Sequence, residues 1–287
     1  MLAGICRRMD NPGRYQRLVS CCKFIFGGKV MAVELFNDGK HIVHAFYDLV
    51  DENTSGAVQC NQFLVVDNGH GALIDPGGNM TYAGLLMDMQ RFFSSRDLDY
   101  IFASHPDPDI IASVNKWFVA SHCKVMISSL WTRFVPHFTT GKDVSARIIG
   151  IPDQGMLIPL GQCRMAALPA HFMHAEGNFQ FYDPVAKILF SGDLGTSLVS
   201  PDKAAQPITD FDSHVPFMEG FHKRYIVSGK VCKYWANMVR QLDIEQIVPQ
   251  HGNRFVGKDA VSKFINWIER LECGVDLMTQ DSYALPR

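Results

Sequence analysis

From residue 60 onward, short β-rich runs alternate with helical patterns, and the histidines and aspartates fall where the strands stop. A chain ordered this way folds into sheets with helices on their outer faces, and residues at strand ends gather along one rim. Phe63 to Asp67 and Ala72 to Asp75 are predicted strands joined by the Gly-rich turn Asn68-Gly69-His70-Gly71. Pro76-Gly77-Gly78 ends the second strand and opens a predicted helix from Thr81 to Phe93. Tyr100 to Ser104, Lys124 to Ser128, Cys163 to Leu168, Phe179 to Tyr182, Lys187 to Phe190 and Ile244 to Val248 are further predicted strands. Helices are predicted over Ile111 to Ala120, Lys230 to Leu242 and Asp259 to Leu271.

The segment His105-Pro106-Asp107-Pro108-Asp109 follows the Tyr100 strand directly. Its two prolines fix φ at their own positions and hold the preceding residues extended, so the side chains at 105, 107 and 109 sit on a stiff loop. Ligands fixed before a metal arrives lose less entropy on binding it. Alone, the segment reads equally well as a surface turn with solvated carboxylates. Three further residues alter that balance, each just past a strand: His174, Asp193 in Ser191-Gly192-Asp193-Leu194-Gly195, and His251 in Pro249-Gln250-His251-Gly252.

The run from His105 to His251 resembles the metallo-β-lactamase superfamily, and within it the diiron domain of flavodiiron proteins and their shorter oxygen-binding relatives. That pattern is H-x-E-x-D, a His before an apolar strand pair, an Asp about nineteen residues on, and a His in a Pro-x-His-Gly turn. The strands from Gln59 to Gly77 resemble the opening of the same fold, so the likeness spans roughly residues 40 to 275. It implies an α/β, four-layer αββα sandwich with two iron ions at one edge. Carried over by position, His105, Asp107 and His174 hold one ion, Asp109 and His251 the other, and Asp193 bridges them. Paired metals of this kind lie about 3.5 to 4 Å apart, within the span of one carboxylate. Three carboxylates set −3 against +4 from two divalent ions, and oxygen and nitrogen donors without a thiolate suit iron, with manganese or zinc able to use the same set.

Two positions depart from the pattern. Asp107 stands where flavodiiron proteins usually have Glu, one methylene longer, and Ile110 stands where the superfamily has a His. The second change leaves the second metal short of a ligand, an arrangement that favours binding of a small molecule such as O2 or NO. Asp75, His171 and Tyr225 are candidates for supporting the ligands without binding metal themselves. His70, His122, His137, His214 and His222 have no carboxylate neighbours at ligand spacing.

With 287 residues, 47% hydrophobic and 20% charged, the chain can bury a sizeable core. A formal net charge of −2 provides no overall basic surface for nucleic acid. No apolar run approaches the roughly 18 residues of a membrane span. Eight cysteines without a CxxC pair are expected to be reduced, packed thiols, which favours a cytoplasmic setting. In residues 1–30, Arg7, Arg8, Arg14, Arg17, Lys23 and Lys29 face only Asp10, so this stretch is expected to be a poorly ordered basic extension before a domain spanning 31–287.

Only 36 residues follow His251, too few for the FMN-binding flavodoxin domain that flavodiiron reductases carry. The resemblance therefore implies an O2- or NO-binding sensor, or a reductase component fed by an external electron-transfer protein; a signalling partner suits the first, and a homo-oligomer is compatible with either. The alternative is a binuclear metal-dependent hydrolase, which the fold also supports. Asp107 and Ile110 both point away from it, since hydrolases typically place His at those positions.

Overall fold

The computed structural model describes residues 25–26, 29–30, 32–47, 49, 58–141 and 144–286. Most of the basic extension, residues 1–24, lies outside these, and β1 (Ile25–Phe26) and β2 (Lys29–Val30) form a two-stranded ladder of their own.

Two sheets carry the domain. The first has seven strands in chain order, β3 (Ala32–Asn37), β4 (His41–Phe46), β5 (Gln62–Asp67), β6 (His70–Ile74), β7 (Leu98–Phe102), β8 (Lys124–Ser128) and β9 (Ile148–Ile151). It is antiparallel as far as β6 and parallel from β6 to β9. The second has six, β10 (Met156–Leu160), β11 (Cys163–Pro169), β12 (Phe179–Asp183), β13 (Ile188–Phe190), β14 (Gln246–Val248) and β15 (Phe255–Val256), with only the β13–β14 pair parallel.

Successive strand residues point to opposite faces, and this alternation builds the layers. Phe63 and Val65 of β5, Phe102 of β7, Phe181 of β12 and Ile188 and Phe190 of β13 enter the core between the sheets. The Phe63–Phe190 and Phe102–Phe181 ring pairs join the two sheets there. Their intervening neighbours Leu64 and Ile101 face outward under α1 (Tyr82–Met89), α2 (Pro108–Ile111) and α3 (Val114–Ala120). On the other side Tyr182, Leu189 and Ile247 pack under α5 (Phe211–Tyr225), α6 (Gly229–Val239) and α7 (Lys258–Glu269), with the one-turn α4 (Pro201–Ala204) preceding them. The result is the expected αββα sandwich. Truncating one of the central phenylalanines costs about 3–5 kcal/mol.

Several elements differ from the sequence expectation. The β5–β6 connection narrows to Asn68 and Gly69, both at positive φ (48° and 86°), as a two-residue hairpin turn requires. The helix expected over 111–120 is two helices. Ser113 sits at the break, where its hydroxyl donates to the Gly77 carbonyl at 2.6 Å and accepts from the Trp117 indole at 3.2 Å. Helix α5 is long although it contains Pro216.

Candidate metal centre

Strand direction decides where the polar residues meet. β7, β13 and β14 are oriented so that their C-terminal ends share a rim with the loop between β11 and β12. His105, Asp107 and Asp109 follow β7, His174 lies in the β11–β12 loop, and Asp193 and His251 follow β13 and β14. The structure brings all six together. Asp107 precedes Pro108 and is extended (φ −63°, ψ 149°) as the N-cap residue of α2, so the prolines shape the loop as anticipated.

Two halves form around one carboxylate. Asp107 Oδ2 lies 3.5 Å from His105 Nε2 and 3.0 Å from His174 Nε2. Asp109 Oδ2 lies 3.4 Å from His251 Nε2. Between them, Asp193 Oδ1 is 3.9 Å from His105 Nε2 and 3.6 Å from His251 Nε2, while its Oδ2 is 3.6 Å from His174 Nε2. His105, Asp193 and His251 are buried, whereas the Asp107 and Asp109 side chains are each 42% exposed, so the cluster opens to solvent on the proline loop's side.

The far sides of two of the three rings, those of His251 and His105, are fixed by the protein. His251 Nδ1–H donates to the Gln59 carbonyl at 2.6 Å, which leaves the Nε2 lone pair facing the carboxylates. His105 Nδ1 pairs with Ser104 Oγ at 2.9 Å, and the Ser104 amide donates to Asp75 Oδ1 at 2.8 Å. An imidazole anchored through one nitrogen and bare at the other is the arrangement in which histidines bind metals. His105 Nε2 and Asp193 Oδ1 are buried without a hydrogen-bond partner among the described residues. Such orphaned atoms are costly unless something outside the protein completes them.

Electrostatics point the same way. Burial pulls the His105 imidazole down, but Asp193 and Asp107 outweigh it and lift the group to about 9. Burial likewise opposes charge on His251, and Asp109 and Asp193 raise it to about 9. The His105 and His174 imidazoles hold Asp107 well below the usual carboxylate range. The cluster demands positive charge, which protons or metal cations can supply. The six donors fit a pair of divalent ions.

The three supporting candidates fare differently. Burial pushes the Asp75 carboxyl up to about 6, and it braces the strand end at Ser104. Tyr225 presents its ring edge-on to His174 with centroids 5.3 Å apart, and it is exposed. His171 turns away from the cluster, its Nε2 meeting the Asp153 carbonyl at 2.8 Å and its ring the edge of Phe179.

Sequence reading missed the residues that hold the loops through their backbones. Asn61 Nδ2 donates to the carbonyls of Pro249 and Gly252, clamping the His251 turn from both sides. Asn178 donates to the Met173 carbonyl beside His174. His222 is fully buried, and its Nε2 accepts the Gly195 amide at 2.9 Å while its Nδ1–H donates to Met218, so it steadies the turn after Asp193. Burial pushes His222 down to about 4, keeping it neutral as an acceptor must be. These contacts link residues far apart in the chain and have no local motif. His174 itself sits at φ 115° and Phe172 at φ 65°, strained for side-chain-bearing residues and held by the surrounding loop.

Residues 58–252 match the sequence model of the ODP family beta lactamases. The chain belongs to the ODP family. Among solved structures, one described as the peroxy diiron species of the chemotaxis sensor ODP is 38% identical to this ODP-family chain. The alignment has a TM-score of 0.76 and covers 86% of this chain and 98% of the other. The apo state of chemotaxis sensor ODP from T. denticola is 37% identical, with a TM-score of 0.74 and coverage of 86% and 97%. The rubredoxin oxygen:oxidoreductase of Desulfovibrio gigas shares the fold at 16% identity, with a TM-score of 0.68; 79% of this chain aligns with 59% of that one. No curated protein matches the sequence.

Proposed function

We propose that this ODP-family chain is a non-haem diiron protein that binds O2 and reports its presence to a signalling partner in the cytoplasm. The observation that carries the reading is the match along 98% of a chemotaxis sensor in a diiron state, by a chain whose own rim gathers two His–carboxylate halves around one aspartate. Among the described residues no helix is long and apolar enough to cross a membrane. Residues 31–287 form the functional domain in this reading, and the basic stretch before it has no role in the site.

His105, Asp107 and His174 would hold one iron, Asp109 and His251 the other, and Asp193 would face both. A ferrous pair held there would be able to supply two electrons to O2, whereas reduction to water needs four. The protein's part is to set the ligands before iron arrives. The Gln59 carbonyl and Ser104 hydroxyl orient the two buried imidazoles, and Asn61 and His222 hold the loops that carry His251 and Asp193. Ile110, on α2 itself, is fully buried in the outer core, so the Asp109 half has fewer side-chain donors than the Asp107 half. That asymmetry leaves room for a small ligand on the Asp109 side. Tyr225 and Phe221 both pack against His174 on the other half.

The test is metal analysis of protein purified without added metal, with visible spectra after anaerobic reduction and after O2 is admitted. Two irons per chain and a lasting oxygen-induced absorption band are expected. Bound zinc with metal-dependent turnover of a lactam, thioester or phosphodiester would replace this reading with hydrolysis. Rapid, repeated O2 consumption with a rubredoxin or flavodoxin donor would make the chain a reductase.

A further inference from the structure

Five cysteines lie among the described residues, all buried and none in a disulfide. Two of them form a pair. Cys232, in the first turns of α6, and Cys273, just beyond α7, have their sulfurs 3.9 Å apart although 41 residues separate them. A disulfide needs about 2.05 Å, so the sulfurs must close by about 1.9 Å, within the reach of side-chain rotation and a small shift of one segment.

The segment after Cys273 is tied to the loop that carries His174. Val275 N–H donates to the Val227 carbonyl at 2.8 Å, and Val227 N–H donates to the Phe172 carbonyl at 3.2 Å, two residues from His174. Met173 and Ile226 form a β-bridge in the same place. Gly274 lies so close to the carbonyls of Ile226 and Val227 that a Cβ there would come within 2.2 Å of the first. Asp276 then pins the segment to the start of α6 through the Gly229 amide and the Ser228 hydroxyl. Residues of this segment also wall a cavity of about 650 Å3 that reaches His174 and Tyr225.

A second opening lies over residues that flank the two cysteines in the chain. A surface cavity of about 790 Å3 is lined by Lys230 and Lys233, which flank Cys232, and by Glu272 and Asp276, which flank Cys273. Neither sulfur lines that cavity and both are fully buried, so a small oxidant entering there reaches the pair through a local opening of the residues that flank them. We propose that Cys232 and Cys273 are a redox-active dithiol that hydrogen peroxide converts to a disulfide, and that the 274–278 segment passes the change to the His174 loop.

The chemistry balances within the pair. The Cys273 thiolate attacks one peroxide oxygen; the O–O bond breaks, a sulfenic acid forms, and the departing hydroxide takes a proton to become water. The Cys232 sulfur, giving up its proton, then attacks the sulfenic sulfur; the S–S bond forms and the S–O bond breaks, releasing a second water. Two thiols lose two electrons, and one peroxide gains two. Hydrogen bonding from the Cys232 S–H holds the Cys273 thiol below its ordinary value, which suits it to attack first. None of these steps needs iron.

The experiment uses the full chain, with and without iron, exposed to hydrogen peroxide, denatured, alkylated and digested without reductant. Trypsin releases the two cysteines on separate peptides, Val231–Lys233 and Leu271–Arg287, neither with another cysteine. A cross-linked pair that dithiothreitol separates is expected, alongside a several-fold change in amide deuterium exchange over residues 172–176 and 274–278. Cys232→Ser and Cys273→Ser should abolish both responses; if either fails to fold, the wild-type measurement still decides. Both cysteines alkylated after peroxide, or oxidised singly without a cross-link, would overturn the dithiol. A cross-link with unchanged exchange at 172–176 would overturn its connection to the site. The result in iron-free protein keeps this test separate from the diiron reading.

Discussion

The two ends of the sandwich each hold histidine among carboxylates, and they are built to opposite ends. At the end away from the candidate metal rim, His41 lies between the sheets, its Nδ1 3.0 Å from Asp67 and its Nε2 2.7 Å from Asp183. Asp67 also accepts the amides of Gln162 and Cys163, and Asp183 those of Val185 and Ala186. Cys163 completes a His–Asp–Cys group with ligand-like spacing, yet both nitrogens of the ring are engaged. At the rim, one nitrogen of His105 and one of His251 are anchored and the others face carboxylates across 3.4 to 3.9 Å. Residue type does not separate a structural clasp from a candidate ligand set. What separates them is whether the hydrogen bonds are already complete.

The largest contrast should come from removing the central carboxylate of the rim. Asp193→Ala is expected to lose both metals, since it faces both halves, whereas Asp109→Ala should weaken chiefly the ion held with His251. Metal stoichiometry of the two variants, purified in parallel, checks this. Two metals retained by Asp193→Ala would remove that residue from the bridge and undo the distinction between the ends.

The clasp should fail differently. His41→Ala leaves two buried carboxylates facing each other without a cation, a change that costs about 3–5 kcal/mol. Its metal content should stay at the wild-type level. Thermal unfolding reads the first, metal analysis the second, and a His41→Ala protein that unfolds like wild type would show that the clasp contributes nothing.

The same clasp has a pH signature. Burial opposes charge on His41, but the hydrogen bond to Asp183, with those to Cys163 and Asp67, raises it from 6.5 to about 10. A group raised on folding contributes fully below its unfolded value and loses that contribution as pH rises through its folded one. Metal-free protein should therefore lose stability between about pH 6.5 and 10, and His41→Ala should show a flatter profile over that window. Denaturant midpoints across the range decide it; parallel slopes for the two proteins would place the alkaline loss elsewhere.

The rim was legible in the sequence and the clasp was not, for a physical reason. Each rim residue follows a predicted strand, and His105, Asp107 and Asp109 share a loop whose prolines declare its stiffness, so local pattern places them before any contact is known. His41, Asp67 and Asp183 are brought together by the pairing of β4 with β5 and by the packing of one sheet on the other, across separations of 26 and 142 residues. The same limit hid Asn61, Asn178 and His222, whose work is done on backbone groups of distant turns. Strands β3 and β4 and helix α5 fell outside the predicted elements, and in α5 Pro216 interrupts the helical pattern while packing of Phe211 and Met218 against the second sheet keeps the helix. The reading of 111–120 as one helix failed at Ser113, whose partner Gly77 lies 36 residues away.

The smallest expected effect is also the finest test, because it sets two histidines three residues apart against each other. His174 faces Asp107 and Asp193 across the rim, while His171 is turned toward the Asp153 carbonyl between β9 and β10. His171→Ala removes one partly exposed hydrogen bond and one ring contact with Phe179, so its cost should be about 1 kcal/mol, with metal content unchanged. His174→Ala should instead lower the occupancy of the metal held with His105 and Asp107. Because both substitutions fall in the same strained loop, a general disturbance of that loop would weaken metal binding in each. Loss of metal in His171→Ala equal to that in His174→Ala would mean that the loop's shape, and not the imidazole aimed at Asp107, is what the rim requires.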